Sequence, residues 1–507
     1  MGAGKSAVGE LLAARLGVRF VDMDVLLERE HGPIREQFRR DGEAVFRARE
    51  REIVQRLCES SDDIVLATGG GVWANPESRE SLKAGFATVV LSAPFDVCMA
   101  RCVSNAARPL LSDAQRLWDE RKDAYTDADH VVDATAPVEE VVDRVVACVD
   151  PLWTGRVNIP QAPYPVHVAH SWARLGSTLR WVHPERRHAV LISEPRVYGH
   201  WGASVEESLA ANGWRCDTLV HEVSESAKTM DTWSHMLDEL LALNPDRDTV
   251  VFALGGGVLG DVAGFAAATA LRGLSWVQLP TTLLAMADSG VGGKTGVNHG
   301  GVKNRVGAFH QPSLVYASLQ TLDTLPSVEF VNGMAEVVKT AAIGDLALFE
   351  RLEACAAAPW SAALAREAVC ASLRFKAAVV SFDPRETGMR GLLNAGHTVG
   401  HALERAVSPG GLRHGEAVAI GLVAEARWAE RAGLCEEPGV ADRIAGTLAA
   451  VGLPTEMPQI AAEALVQAMR LDKKARGDTL RLPVPRRVGH YEIVDIRLSD
   501  LPSLVTI

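Results

Sequence analysis

Positive charge is scarce in this sequence. Its 52 Lys and Arg stand against 64 Asp and Glu, a formal net charge of -12, and no basic tract stands out. That argues against nucleic acid or an anionic membrane as the main partner, although small anionic substrates need only a few local cations. No run approaches the roughly 18 apolar residues of a membrane span, and no charged-then-apolar leader is present. The eight cysteines form no CxxC pair, Cys98 and Cys102 being nearest, so reduced thiols in a cytoplasmic protein are expected. Internal repeats and low-complexity segments are also missing.

What is present is an ordinary globular composition, 47% hydrophobic and 23% charged, in 507 residues. That length exceeds one core and predicts several domains. From residue 1 to about 150, short apolar runs such as IVLATGGGV (64–72) and ATVVLSA (87–93) alternate with helical patterns, as in a parallel α/β sheet. A proline-rich stretch without periodicity follows, read as a linker over 151–165. HAVLIS (188–193), TVVFALGGGV (249–258) and LSWVQLP (274–280) predict a second α/β domain over 166–325. Residues 326–507 read as mainly helical, with a possible hairpin near 479–494.

The chain opens on Gly-Ala-Gly-Lys-Ser (2–6), the end of a phosphate-binding loop. Backbone N–H groups beside Gly2 and Gly4 would hold phosphates, Lys5 would neutralise them, and Ser6 would bind magnesium. VDMD (21–24) presents Asp22 and Asp24 where a strand should end, VFRARE places Arg47 on a helix, and TGGGV supplies Gly69 to Gly71 after a strand. Together with NAARPLL (105–111) and ERKDAY (120–125), these residues resemble shikimate kinase over about 1–148. The resemblance implies a P-loop NTPase-type sheet and ATP- and Mg-dependent phosphorylation of the shikimate 3-hydroxyl. Lys5, Ser6 and Arg108 would then serve ATP and magnesium, with Asp22 near the metal. Asp24 would hold and activate the hydroxyl, while Arg47, Gly70 and Arg121 bind shikimate. No strand precedes the loop in this sequence. The reading is therefore an N-terminally truncated sheet or a mis-set start, with weak or absent ATP turnover as written and activity if about ten upstream residues are restored.

Downstream, GGGVLGD puts Gly255, Gly256 and Gly257 at a strand-to-helix turn that suits a pyrophosphate. LPTTLLAMADSGVGGKTGVNHGGVKN concentrates Asp288, Lys294, Lys303 and Asn304 among glycines, as a site crowded with phosphates and hydroxyls would. NAGHTVGHALE places His397 and His401 one helical turn apart, RHGEAVAIG adds His414, and NGMAEVVKTA adds Glu336 and Lys339, a set with zinc-like chemistry. These motifs, in this order, resemble 3-dehydroquinate synthase over about 166–495. The resemblance implies an NAD-binding α/β domain, a helical metal domain and a homodimer through these domains. It assigns Glu336, His397 and His414 to zinc or cobalt, which leaves His401 as a substrate contact. Lys294, Lys339, Lys376, Arg390, Asn304, Asn394 and Lys473 would surround substrate, Asp288 would lie beside it, and Arg272 would reach it across the dimer. Asp261, Glu225, Lys228, Thr281, Thr282, Lys303 and the glycine turn would hold NAD. The activity implied is conversion of the keto acid phosphate DAHP to 3-dehydroquinate and phosphate, with NAD regenerated within each turnover. The alternatives are a kinase module without turnover, a related sugar phosphate cyclase, an iron- and NAD-dependent alcohol dehydrogenase, or an NAD-sensing scaffold.

Overall fold

The computed structural model describes residues 2–16, 18–59, 64–103, 115–116, 118, 124–125, 128, 130–149, 153–160, 162–354, 362–407, 411–470, 475–476, 478–505. Arg108, Arg121 and Lys473 lie outside these residues. The chain divides into two compact units, Met1–Asp150 and Pro151–Ile507. Among the described residues, no helix is long and apolar enough to cross a membrane.

In the first unit, strand β1 (Arg19–Asp22) pairs in parallel with β2 (Ile64–Ala67), and β3 (Val89–Ser92) pairs in parallel with β4 (His130–Asp133). The helix Lys5–Leu16 begins directly after the glycine loop and buries Val8 and Leu12 against Val132, Val141 and Val145. A second core gathers Met23, Leu27, Phe46, Ile53 and Trp73. The helix Ile34–Glu59 carries Phe46 and Arg47 and breaks at Gly42, where φ is 80°.

The second unit is built on a seven-stranded sheet, in spatial order Trp153–Val157, Tyr164–Ala169, Leu314–Ser318, Ser275–Pro280, Val250–Gly255, His188–Ser193 and Arg215–Val220. Its strands are β5 (Trp153–Val157), β6 (Tyr164–Ala169), β7 (His188–Ser193), β8 (Arg215–Val220), β9 (Val250–Gly255), β10 (Ser275–Pro280) and β13 (Leu314–Ser318). All pairs are parallel except β5 with β6. Strand β9 is buried at every position, as a central parallel strand with both faces covered must be. The chain turns from β7 to the edge strand β8 and then back to β9, so a crevice opens beyond the carboxyl ends of β7 and β9.

Two expectations change here. The stretch read as a linker contains β5 and the start of β6, with Val157, Tyr164 and Val166 buried. The prolines lie outside the edge strand β5 (WTGRV), in the connection and at Pro165 in β6, and the apolar residues between them supply an inward face. The glycine-rich run 294–309, where no strand is named from the sequence, is a hairpin of β11 (Lys294–His299) and β12 (Val302–Phe309). Gly300 and Gly301, at φ 59° and 72°, form its two-residue turn, and positive φ at both positions is what such a turn requires.

Helices Ser327–Gly344, Ala362–Phe382, His397–Ala406 and His414–Arg431 form the core of the second half, joined by a β-hairpin over Thr479–Arg487 and His490–Arg497.

Candidate active site

In the first unit, Gly2 and Gly4 adopt φ of 77° and 87° ahead of the Lys5–Leu16 helix. Ser6 Oγ donates to Asp22 Oδ2 at 2.7 Å, while Asp22 Oδ1 accepts from the Asp24 backbone N–H at 3.0 Å. The loop hydroxyl and the first aspartate are thus joined. Asp24 Oδ1 lies 3.4 Å from where a Cβ on Gly69 would sit. Arg47 is fixed by Glu50 at 2.7 Å and by Glu43 at 3.1 Å. Its Nη1 lies only 2.1 Å from where a Cβ on Gly71 would sit, so only glycine leaves room for the guanidinium on that turn. The structure therefore brings Asp24, Arg47 and the 69–71 turn, with Gly70 inside it, to one place. Glu50, buried and holding Arg47, escaped the sequence reading.

In the second unit, a groove of about 2720 Å³ opens at the sheet crevice. Gly256, Gly257, Asp261, Thr281, Thr282, Glu225, Lys228 and Lys303 line it, together with Lys294, Asn304, Asn394, His401 and His414. Gly255 closes β9 just beneath. Lys228 is nearly fully buried and donates to Asp261 Oδ2 and to Asn304 Oδ1. Burial raises the Asp261 carboxyl above its ordinary range, against the pull of Lys228.

Beside the groove, three helices meet. Glu336 Oε1 lies 3.7 Å from His397 Nε2 and 3.5 Å from His414 Nε2. The three donor atoms all fall within 4.8 Å of one another. Each imidazole is oriented through its other nitrogen: His397 Nδ1 by the Ala395 carbonyl at 3.1 Å, and His414 Nδ1 by Glu404 Oε1 at 3.3 Å. Outer partners of this kind fix the tautomer of a metal-bound histidine. Glu336 is fully buried, and neither of its oxygens accepts a well-aligned hydrogen bond. Burial opposes charge on His414, yet the neighbouring carboxylates of Glu336 and Glu404 raise its pKa to about 10. The pocket between Glu336 and the imidazoles favours a cation, and its oxygen and nitrogen donors fit a divalent ion of the zinc or cobalt type. His401 stands one turn along, its ring centroid 5.2 Å from that of His397.

A layer of fixed charge adjoins the donors. Lys339, also buried, contacts Glu336 Oε2, donates to the Leu393 carbonyl at 2.8 Å and lies 3.8 Å from Asp288. Lys376 donates to Asp288 Oδ1 at 2.7 Å. Burial lowers the Lys376 ammonium to about 8, whereas Asp288 stays ionised well below its ordinary range, despite burial, through Lys376 and Lys339. Arg390 is buried and donates to the Pro384 and Gly292 carbonyls at 2.8 and 3.2 Å. Arg272 is not brought to this cluster. It follows the Gly257–Thr269 helix in the exposed turn ahead of β10, at the opposite end of the sheet from the glycine turn, with φ of 69°.

Four carboxylates escaped the sequence reading. Glu386 joins Lys294 to Asn394, and Asp383 accepts backbone N–H bonds from Thr387, Gly388 and Arg390, setting the Arg390 turn. Glu404 accepts from Lys303 as well as His414. Glu425, buried in the His414–Arg431 helix, accepts from the backbone N–H groups of Gly396, Thr398 and Val399, capping the helix that bears His397 and His401. Only the acidic character of FDPRE hinted at any of them.

Comparison with known proteins sets this geometry in a family. Family models for the 3-dehydroquinate synthase N-terminal and C-terminal regions match residues 218–332 and 333–475, and the shikimate kinase model matches 1–150. A 3-dehydroquinate synthase of Synechococcus sp. (strain CC9605) is 42% identical over 354 residues, covering 68% of this chain and 95% of that protein. A solved 2-deoxy-scyllo-inosose synthase, complexed with carbaglucose-6-phosphate, NAD+ and Co2+, is 26% identical with a TM-score of 0.62, covering 70% of this chain and 99% of its own. The 2-epi-5-epi-valiolone synthase of Streptomyces hygroscopicus subsp. jinggangensis 5008, with NAD+ and Zn2+ bound, is 28% identical with a TM-score of 0.61, covering 68% and 97%. The chain belongs to the 3-dehydroquinate synthase family and carries a shikimate kinase domain ahead of the synthase.

Proposed function

We propose that residues 151–507 convert DAHP to 3-dehydroquinate and phosphate, and that residues 1–150 transfer phosphate from ATP to shikimate. The observation that carries the first reading is the Glu336–His397–His414 set standing beside Lys339, Lys376 and Arg390. A polyol dehydrogenase has no carboxylate and phosphate to engage so many cations. Glu336, His397 and His414 would hold zinc or cobalt, and the groove from the glycine turn to Lys228 and Lys303 would hold NAD. When bound, these groups supply Lewis acidity and reversible hydride exchange at the substrate hydroxyl carbon.

The chain's own residues do the rest. Lys294, Lys376 and Arg390 place positive charge against the substrate's carboxylate and phosphate, and Asn304 and Asn394 orient its hydroxyls. Asp288 aims Lys376, since it accepts directly from the ammonium. Lys339, pinned by Leu393, keeps Glu336 ionised. His401, on the same helix as His397, is the group positioned to hold or pass a proton at a substrate hydroxyl. Arg272 faces outward, which supports a homodimer in which it serves a partner's site. In the kinase domain, Lys5 takes ATP phosphate, Ser6 and Asp22 take magnesium, Asp24 activates the shikimate hydroxyl, and Arg47 and Gly70 bind its carboxylate side. A cytoplasmic location fits both substrates.

The test is phosphate release from DAHP with NAD present. Turnover without net NADH supports the synthase, whereas net NADH from a polyol favours a dehydrogenase. ADP release dependent on shikimate tests the kinase domain separately.

A pH effect follows from Lys376. Its ammonium is charged below about 8 and neutral above. An anion-binding cation is therefore lost as pH rises, and KM for DAHP is expected to climb above that value, with Lys376→Arg flattening the profile. The stability linkage has the opposite sense. Between about 8 and the ordinary lysine value of 10.5, the unfolded chain binds this proton and the native chain does not, so this group's contribution to stability rises with pH in that window. A KM profile unchanged by Lys376→Arg would refute the assignment.

A further inference from the structure

His221 follows the end of edge strand β8, and the helix Met230–Ala242 packs back along the sheet. His235 and Glu239 sit at i and i+4 on that helix, a spacing that puts both side chains on one face. Glu239 Oε2 lies 3.0 Å from His221 Nε2, and Glu239 Oε1 lies 3.7 Å from His235 Nε2. One donor atom from each residue falls within 4.8 Å of the other two. The two imidazole rings stand edge to face, 5.8 Å apart.

We infer that His221, His235 and Glu239 form a second divalent-cation site, of the zinc, nickel or copper class, separate from the Glu336 cluster. Donors around a tetrahedral zinc stand about 3.3 Å apart, given metal–ligand bonds of about 2.0–2.2 Å. The separations of 3.0 and 3.7 Å, one to each oxygen of Glu239, lie on either side of that value, and the His235 side chain, 69% exposed, has room to close the set by rotation. Two imidazoles and one carboxylate leave a fourth position for water. Imidazole and carboxylate donors select this end of the divalent series over magnesium or calcium.

Ion pairing alone accounts poorly for the arrangement. An exposed i,i+4 pair contributes little and gives no reason for a buried third group to join it. His221 Nε2 is buried and close to Glu239, yet it makes no aligned hydrogen bond. Burial also lowers the His221 pKa, keeping the imidazole in the neutral form a metal requires.

The position gives the site a consequence. The strand end and the helix flank residues 222–229, which contribute Glu225 and Lys228 to the large groove. A cation shared by His221 and the helix ties the two ends of that loop together.

The experiment is equilibrium dialysis of the full chain against micromolar zinc, with bound zinc counted by atomic emission. The unsubstituted chain is expected to hold one zinc more than His235→Ala or Glu239→Ala. Both substitutions lie on an accessible helix face, and an unchanged far-ultraviolet circular dichroism spectrum shows that the variants fold. Equal zinc content in all three proteins overturns the site. Because the readout is a difference in stoichiometry, it is independent of what the Glu336 cluster binds or catalyses.

Discussion

Glu336→Gln is expected to strip the synthase domain of its divalent ion and to lower kcat/KM by about a thousandfold or more, some 4 kcal/mol of transition-state stabilisation. Gln preserves shape but offers only a neutral oxygen to a position where His397 and His414 aim their Nε2 atoms. The same exchange leaves the buried Lys339 ammonium with Asp288, at 3.8 Å, and the more distant Glu386 as its acidic neighbours. Breaking a buried pair from one side costs about 3–5 kcal/mol, because the surviving charge stays desolvated. Glu336→Gln with Lys339→Met should therefore recover stability but not turnover. Metal content, kinetics and urea unfolding of the three proteins separate the two effects. A single variant that keeps stoichiometric metal and wild-type turnover would contradict the assignment.

Glu425→Leu is expected to be nearly as damaging, although Glu425 contacts neither the proposed cation nor the groove. Its carboxylate takes backbone N–H bonds from Gly396 at 2.6 Å and from Thr398 and Val399 at 3.2 Å. These are donors at the start of the His397–Ala406 helix, where the partial positive charge of the helix end also lies. Leu buries them unpaired, at about 1–3 kcal/mol each, so a loss of at least about 3 kcal/mol is expected. The helix start should then move. Metal affinity should fall about 10–100-fold, the range seen when an outer partner of a ligand is removed. Glu425→Gln, which can still accept, should fall between. Calorimetry and competitive metal titration check this, and unchanged metal affinity in Glu425→Leu would show that the cap does not position His397.

What could be read in the sequence follows the range of the interactions involved. Strand β9 and its glycine turn were legible because an unbroken apolar run ending in glycines is a local pattern. The pairing of His397 with His401 was legible because helical spacing alone joins them. The β5 strand was hidden by the prolines on either side of it, and the β11–β12 hairpin by lysines and glycines that point as readily to a loop. Glu425 was invisible for a different reason. It acts on residues 26 to 29 positions away, through a helix crossing that no local spacing records. Arg272 shows the converse, a residue named by motif that a single folded chain does not bring to the cluster.

One carboxylate oxygen, Glu404 Oε1, is shared by Lys303 at 3.1 Å and His414 Nδ1 at 3.3 Å. Lys303 also reaches Glu225, 3.7 Å away across the groove. If Lys303 turns towards a bound dinucleotide, Glu404 keeps His414 as its partner and makes that imidazole a stronger donor. The two ligands then communicate through a single atom. Thermodynamic reciprocity fixes the rest: whatever factor the dinucleotide adds to the cation's affinity, the cation adds to the dinucleotide's. Order of assembly becomes a matter of rate alone, because the free energy of the doubly loaded protein is the same by either route.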